Sequence, residues 1–135
     1  MIFFDNYVQK YNVGKLVDIV SREHLILDLR KLLVDRTDIR QPLSYKEVAE
    51  LLHVSEPPVI ATITGLLEVL IDEDIKANRP VLSALVVQKG KSQIPRPGFF
   101  EKLNSLKVID LNDKGFDVAL WHASELNKLK KFYNK

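Results

Sequence analysis

The chain has no cysteine, a single tryptophan, a single methionine and only five glycines in 135 residues. Without cysteine there is no disulfide scaffold, no thiolate nucleophile and no zinc site with a sulfur ligand. No apolar run approaches the length that a membrane-spanning helix requires, so no membrane association is expected. The N-terminal Met1-Ile2-Phe3-Phe4-Asp5 has no basic segment ahead of its apolar residues and no small-residue cleavage site. A signal peptide is therefore not expected, and the cytoplasm is the default location. Neither glycine-rich phosphate fingerprint occurs, and Gly90 reads as a turn residue. His24, His53 and His122 are too far apart in sequence to form a helical metal site, so no metal and no cofactor are expected.

What is present suits one globular domain spanning residues 1–135. A hydrophobic fraction of 46% with 28% charged residues can build a core and is wrong for a disordered chain. The net charge of +2 conceals an uneven distribution. Residues 1–37 are near neutral. Residues 38–74 hold eight acids against Arg40 and Lys46, and residues 75–135 hold twelve bases against five acids. An acidic middle beside a basic C-terminal half can steer a charged partner. Plain solvation of exposed faces explains the same charges.

Apolar spacing divides the chain into three parts. In residues 1–40, Tyr7 to Val20 and His24 to Leu33 each follow a helical period, with Ser21 placed to cap the second segment. They predict a helical hairpin or one broken helix. In residues 43–100, Ser44-Tyr45-Lys46-Glu47 is a capping box opening a short helix. Ser55 then stands as the cap of a second helix, with Pro57 and Pro58 in its first turn and an apolar stripe from Val59 to Ile71. Asp72, Glu73 and Asp74 crowd its C-terminal end, the unfavourable end for negative charge. Consecutive helix residues point in different directions, so this cluster reads as a solvated face or a partner surface. Val81 to Val87 predicts a buried strand, followed by turns at Lys89-Gly90-Lys91-Ser92 and Pro95-Arg96-Pro97-Gly98. In residues 101–135, Val108 to Leu111 reads as extended. A last helix carries Val118, Leu120, Trp121, Leu126 and Leu129, with a lysine-rich end. Phe99, Phe100 and Trp121 read as core anchors.

A capped short helix, a turn, a second apolar helix and a strand with a basic turn together describe a helix-turn-helix with a wing. The predicted fold class is α+β, mainly helical, with a winged-helix-like core between an N-terminal helical hairpin and a C-terminal helix. The segment Leu43-Ser44-Tyr45-Lys46-Glu47-Val48-Ala49-Glu50-Leu51-Leu52 resembles the start of the DNA-binding helices in alkylguanine alkyltransferases and alkyltransferase-like proteins. Val81 to Val87 resembles the strand that carries that family's nucleophile, and the overlap covers residues 43–100. Where the family has its cysteine this chain has Ser83, followed by Ala84 and Leu85 in place of His and Arg. A serine with no base beside it is a poor nucleophile. The family's recognition-helix arginine falls near Ile60. The resemblance therefore implies DNA contact with neither alkyl transfer nor base extrusion. Residues 79–87 with 97–100 also resemble a pattern in small bacterial proteins, which implies a shared domain and no function.

Two readings of function follow, neither of them enzymatic. In the first, an accessory protein of bacterial or phage type binds nucleic acid with little sequence specificity. The wing residues Lys89, Lys91 and Arg96, with Lys102 and Lys107 in the helix that the spacing of Phe99, Phe100, Leu103 and Leu106 predicts, contact phosphate, and Ser44 and Tyr45 add a contact at the helix start. The second helix offers Glu56 and Glu68 rather than Arg or Asn, so it is not expected to read bases. In the second reading, the chain is a protein-binding module such as an immunity protein, inhibitor or subunit. Its acidic helix 56–74 would then meet a protein partner through Glu68, Asp72 and Glu73. The oligomeric state is not readable from the sequence.

Overall fold

The computed structural model describes residues 13–38, 41–90 and 92–134, the side chains of 13–20 excepted. In chain order the described residues form α1 (Val13–Val34), β1 (Leu43–Ser44), α2 (Tyr45–Leu51), α3 (Val59–Lys76), a 3-10 turn (Leu82–Leu85), β2 (Val86–Val87), α4 (Pro97–Ser105) and α5 (Val118–Tyr133). The fold is α+β and mainly helical, as the patterning predicts.

Helix α3 is the central element because it is the most continuously apolar. Ile63, Leu66, Leu67, Leu70 and Ile71 recur every three or four residues and are all buried. At roughly 2 kcal/mol for each buried aliphatic side chain, this stripe anchors the molecule. It packs against α1, α2, α4 and the 3-10 turn. The helix starts at Val59, with Pro58 as its N-cap and no side-chain cap, rather than at Ser55. Pro58 holds Pro57 out of the helical region, so both prolines precede the helix instead of entering its first turn.

Helix α1 runs unbroken through Ser21. A serine in a helix interior costs only tenths of a kcal/mol, too little to break a helix whose later turns bury Leu29 and Leu33. The expected second cap at Ser21 is thus absent, and the part of the expected hairpin before residue 13 lies outside the described residues. Leu27, in the predicted apolar set, is 66% exposed, because it sits two residues from Leu29 and so faces nearly the opposite way.

The sheet contains only β1 and β2, paired in parallel with Leu43 opposite Val86 and Ser44 opposite Val87. The α2–α3 unit is the crossover that a parallel pair requires. Val81 to Val87 is buried throughout, as predicted, but only its last two residues are strand. The rest is enclosed by α1, α3 and α5, where no neighbouring strand can satisfy its backbone. Side chains take that role. Asp74 Oδ2 accepts from Leu82 N at 3.0 Å, and Glu125 Oε2 accepts from Val81 N at 2.8 Å. His122 Nε2 lies 2.7 Å from Ala84 O, and since a carbonyl only accepts, Nε2 carries the proton. Ser83 Oγ donates to Leu67 O at 2.8 Å. A buried irregular segment is tolerable only when its polar groups are paired in this way.

After β2 a backbone bond from Gln88 N to Ile94 O at 2.9 Å closes a loop. Gly90 turns there at φ 132°, a conformation that suits glycine alone. Among the described residues no second strand pairs antiparallel with β2, so this loop stands where the hairpin wing is expected. Helix α4 begins at Pro97, whose fixed φ and missing N–H suit a first helical position. Val108 to Leu111 is turn rather than strand, with Val108 N donating back to Leu103 O. Phe99, Phe100 and Trp121 form one aromatic cluster, with ring centroids 5.1 to 6.3 Å apart, that joins α4 to α5.

Candidate nucleic-acid interface

The capping box at the start of α2 is complete. Ser44 Oγ accepts from Glu47 N at 3.1 Å, and Glu47 Oε1 accepts from Ser44 N at 3.2 Å. That bond to the Ser44 amide, with the bond to its side chain, holds the Glu47 carboxyl below its usual range. Tyr45 follows with its ring largely buried. Its hydroxyl accepts from Arg96 N at 2.9 Å, tying the loop after β2 to α2 across 51 residues. Burial raises the Tyr45 pKa against the lowering effect of that bond, so the phenol stays protonated. The Arg96 guanidinium lies over the same ring, 5.7 Å from its centroid.

This geometry brings three cations to one place. Lys46, Lys89 and Arg96 are exposed and line a depression of about 270 Å³ walled by Ser44, Tyr45, Val87 and Gln88. Lys89 is only loosely paired, with its Nζ 3.8 Å from Glu47 Oε1 and its side chain 74% exposed. Of the expected contacts, Lys89 and Arg96 are therefore brought together. Ser44 and Tyr45 lie in the wall, but both are buried and their hydroxyl oxygens accept from backbone N–H groups, so they shape the site from behind the cations. Lys91 lies outside the described residues. Lys102 belongs elsewhere, paired to Asp72 on α3 at 3.0 Å. Lys107 is exposed in the turn after α4 and does not line the depression.

Lys46 and Gln88 escaped the sequence reading. For Lys46 a signal existed. A cation in the first turn of a helix opposes the positive end of the helix dipole, so it stands there against local preference. Gln88 gave none, because its position depends on the pairing of β2 with β1.

The acidic end of α3 is not a free surface. Its three residues are about 100° apart around the helix, and each meets at least one cation, with Arg30 shared between two of them. Asp72 pairs with Lys102 at 3.0 Å, and Glu73 pairs with Arg30 on α1 at 2.9 Å. Asp74 is fully buried and pairs with Arg30 at 2.9 Å and Arg79 at 3.2 Å. Asp72 and Glu73 stay exposed, as the solvated-face reading expects, and that reading is corrected only at the buried Asp74; the pairs also offset the unfavourable charge at the helix end. Only Glu68, of the three residues expected to meet a protein partner, has no internal ion pair among the described residues.

Ser83 sits in the buried 3-10 turn, with its hydroxyl held by Leu67 O. Among the described residues no group of three His, Asp or Glu side chains could hold a metal ion, and no helix is long and apolar enough to cross a membrane. Comparison with protein-family models, with curated proteins and with solved structures finds no match.

Proposed function

We propose that this protein binds nucleic acid with little sequence specificity, through phosphate contacts made by Lys46, Lys89 and Arg96. The observation that carries the reading is the convergence of these three side chains on one depression, from two chain segments far apart in sequence. The rigid parts beneath them are the capped start of α2 and the Tyr45–Arg96 link, so the cations sit on a fixed base. Helix α3 has no Lys or Arg before Lys76, its last residue, and no Asn or Gln, so it lacks the side chains that make the bidentate contacts to guanine and adenine edges. Contacts of this kind position a strand without specifying its sequence.

The test is fluorescence anisotropy with random-sequence oligonucleotides across a salt series, for the wild type and for Lys46→Ala combined with Lys89→Ala and Arg96→Ala. Each lost phosphate contact reduces the log–log salt slope by about 0.9 on duplex DNA, so the triple variant should lose about 2.7. Absence of wild-type binding at low salt would sink the reading.

A further inference from the structure

Beside the basic depression runs a second, larger concavity of about 750 Å³ between α3 and α4. Tyr45 and Arg96 line both, so the two adjoin across these residues. Their linings differ in character. The groove has Ile60, Leu67, Ile71 and Phe99 along it, and two carboxylates, Glu68 and Glu101, at its edge. Neither carboxylate has a hydrogen-bond or ion-pair partner among the described residues. Thr64, also in the lining, has its hydroxyl engaged with Ile60 O at 2.8 Å.

We propose that this groove receives an unpaired base from a strand whose phosphate rests on Lys46, Lys89 and Arg96, which makes the ligand class single-stranded nucleic acid. The inference rests on the phosphate-binding reading above. An apolar wall suits the flat face of a base, and a carboxylate accepts from exocyclic amino groups such as cytosine N4. The same carboxylates repel phosphate, so only one orientation fits, with the backbone on the cations and the base turned inward. Arg96 stands at the junction, where its planar guanidinium can meet phosphate on one side and stack on the base on the other. A duplex cannot use the groove without first unpairing and unstacking a base.

The experiment compares three ligands of equal length on the intact protein: a random single strand, its duplex, and a single strand of abasic sugar-phosphate. The wild type should bind the base-bearing single strand roughly 5- to 150-fold more tightly than the abasic strand, the range for one stacked base. It should also prefer that strand to the duplex. Ala61→Phe, at an exposed groove position on α3, should bring single-strand affinity down to the abasic value. Glu68→Gln should change the relative affinities for poly-dC and poly-dT, since cytosine has an amino donor where thymine has a carbonyl. Circular dichroism establishes that each variant is folded. If Ala61→Phe does not fold, the abasic comparison on the wild type and the Glu68→Gln series decide. Equal wild-type affinity for all three ligands would overturn the groove inference and leave the phosphate reading intact. No binding to any of them at low salt would overturn both.

Discussion

Removing the Asp74 carboxylate should destabilise this protein more than any other single surface-to-core charge change on α3. The side chain is fully buried and its two oxygens hold three donors. Oδ1 accepts from Arg30 Nη1 at 2.9 Å and Arg79 Nε at 3.2 Å, while Oδ2 accepts from Leu82 N at 3.0 Å. In Asp74→Ala the Leu82 amide is left buried and unpaired, which costs about 1–3 kcal/mol. Two guanidinium groups also lose their buried partner. Their side chains are 21% and 35% exposed, so water recovers part of that loss. Removing one partner of a buried pair typically costs about 3–5 kcal/mol, and the total is expected in that range. Asp74→Asn keeps the shape but turns an amide donor against either the guanidinium donors or the Leu82 N–H, so it should still cost about 2–3 kcal/mol. The control is Asp72→Ala, whose ion pair with Lys102 involves a carboxylate side chain 53% exposed and should matter by less than about 1 kcal/mol. Urea unfolding followed by circular dichroism gives the three values, with Tm falling by roughly 4 °C per kcal/mol at this chain length. If Asp74→Ala and Asp72→Ala lie within experimental error of each other, the buried carboxylate does not organise the 3-10 turn and the reasoning fails.

Two further expectations concern the same buried turn. Glu125→Ala leaves the Val81 amide unpaired and should cost about 1–3 kcal/mol, whereas Glu125→Gln retains an acceptor oxygen and should cost clearly less; equal losses in chemical denaturation would count against this. His122 is held neutral, because burial lowers its pKa from 6.5 despite its bond to Ala84 O. Below pH 6.5 the unfolded chain takes up a proton that the folded ring resists, so stability should fall as the pH drops. His122→Gln can still donate to Ala84 O and should flatten that part of the pH–stability curve; an unchanged slope would show that other groups cause it.

The readable parts of this fold are those governed by local rules. The capping box at Ser44 and Glu47 forms as its spacing requires, because both bonds close within four residues. The stripe of α3 likewise needs only the helical period, whereas Pro97 and Gly98, read as part of a turn, open α4 instead. Where the reading fell short, a distant residue decided. Val81 to Val87 has the composition of a strand, yet most of it is a 3-10 turn. Its amides meet Asp74 and Glu125 rather than another strand. Lys102 has the look of a free lysine and is held by Asp72, 30 residues away.

The sequence by itself determined the mainly helical α+β class, the buried stripe of α3 and the excess of positive charge in the C-terminal half. Those properties follow from composition and from periods of a few residues, which any segment carries with it. Only the tertiary structure decided which charges remain free. Asp72, Glu73 and Asp74 are drawn into pairs by α1, α4 and Arg79; for the buried Asp74 an unpaired carboxylate would be costly, whereas Asp72 and Glu73 pair at the surface. Lys46, Lys89 and Arg96 stay exposed and meet at one depression, because the parallel pairing of β1 with β2 and the Tyr45–Arg96 bond bring their segments together.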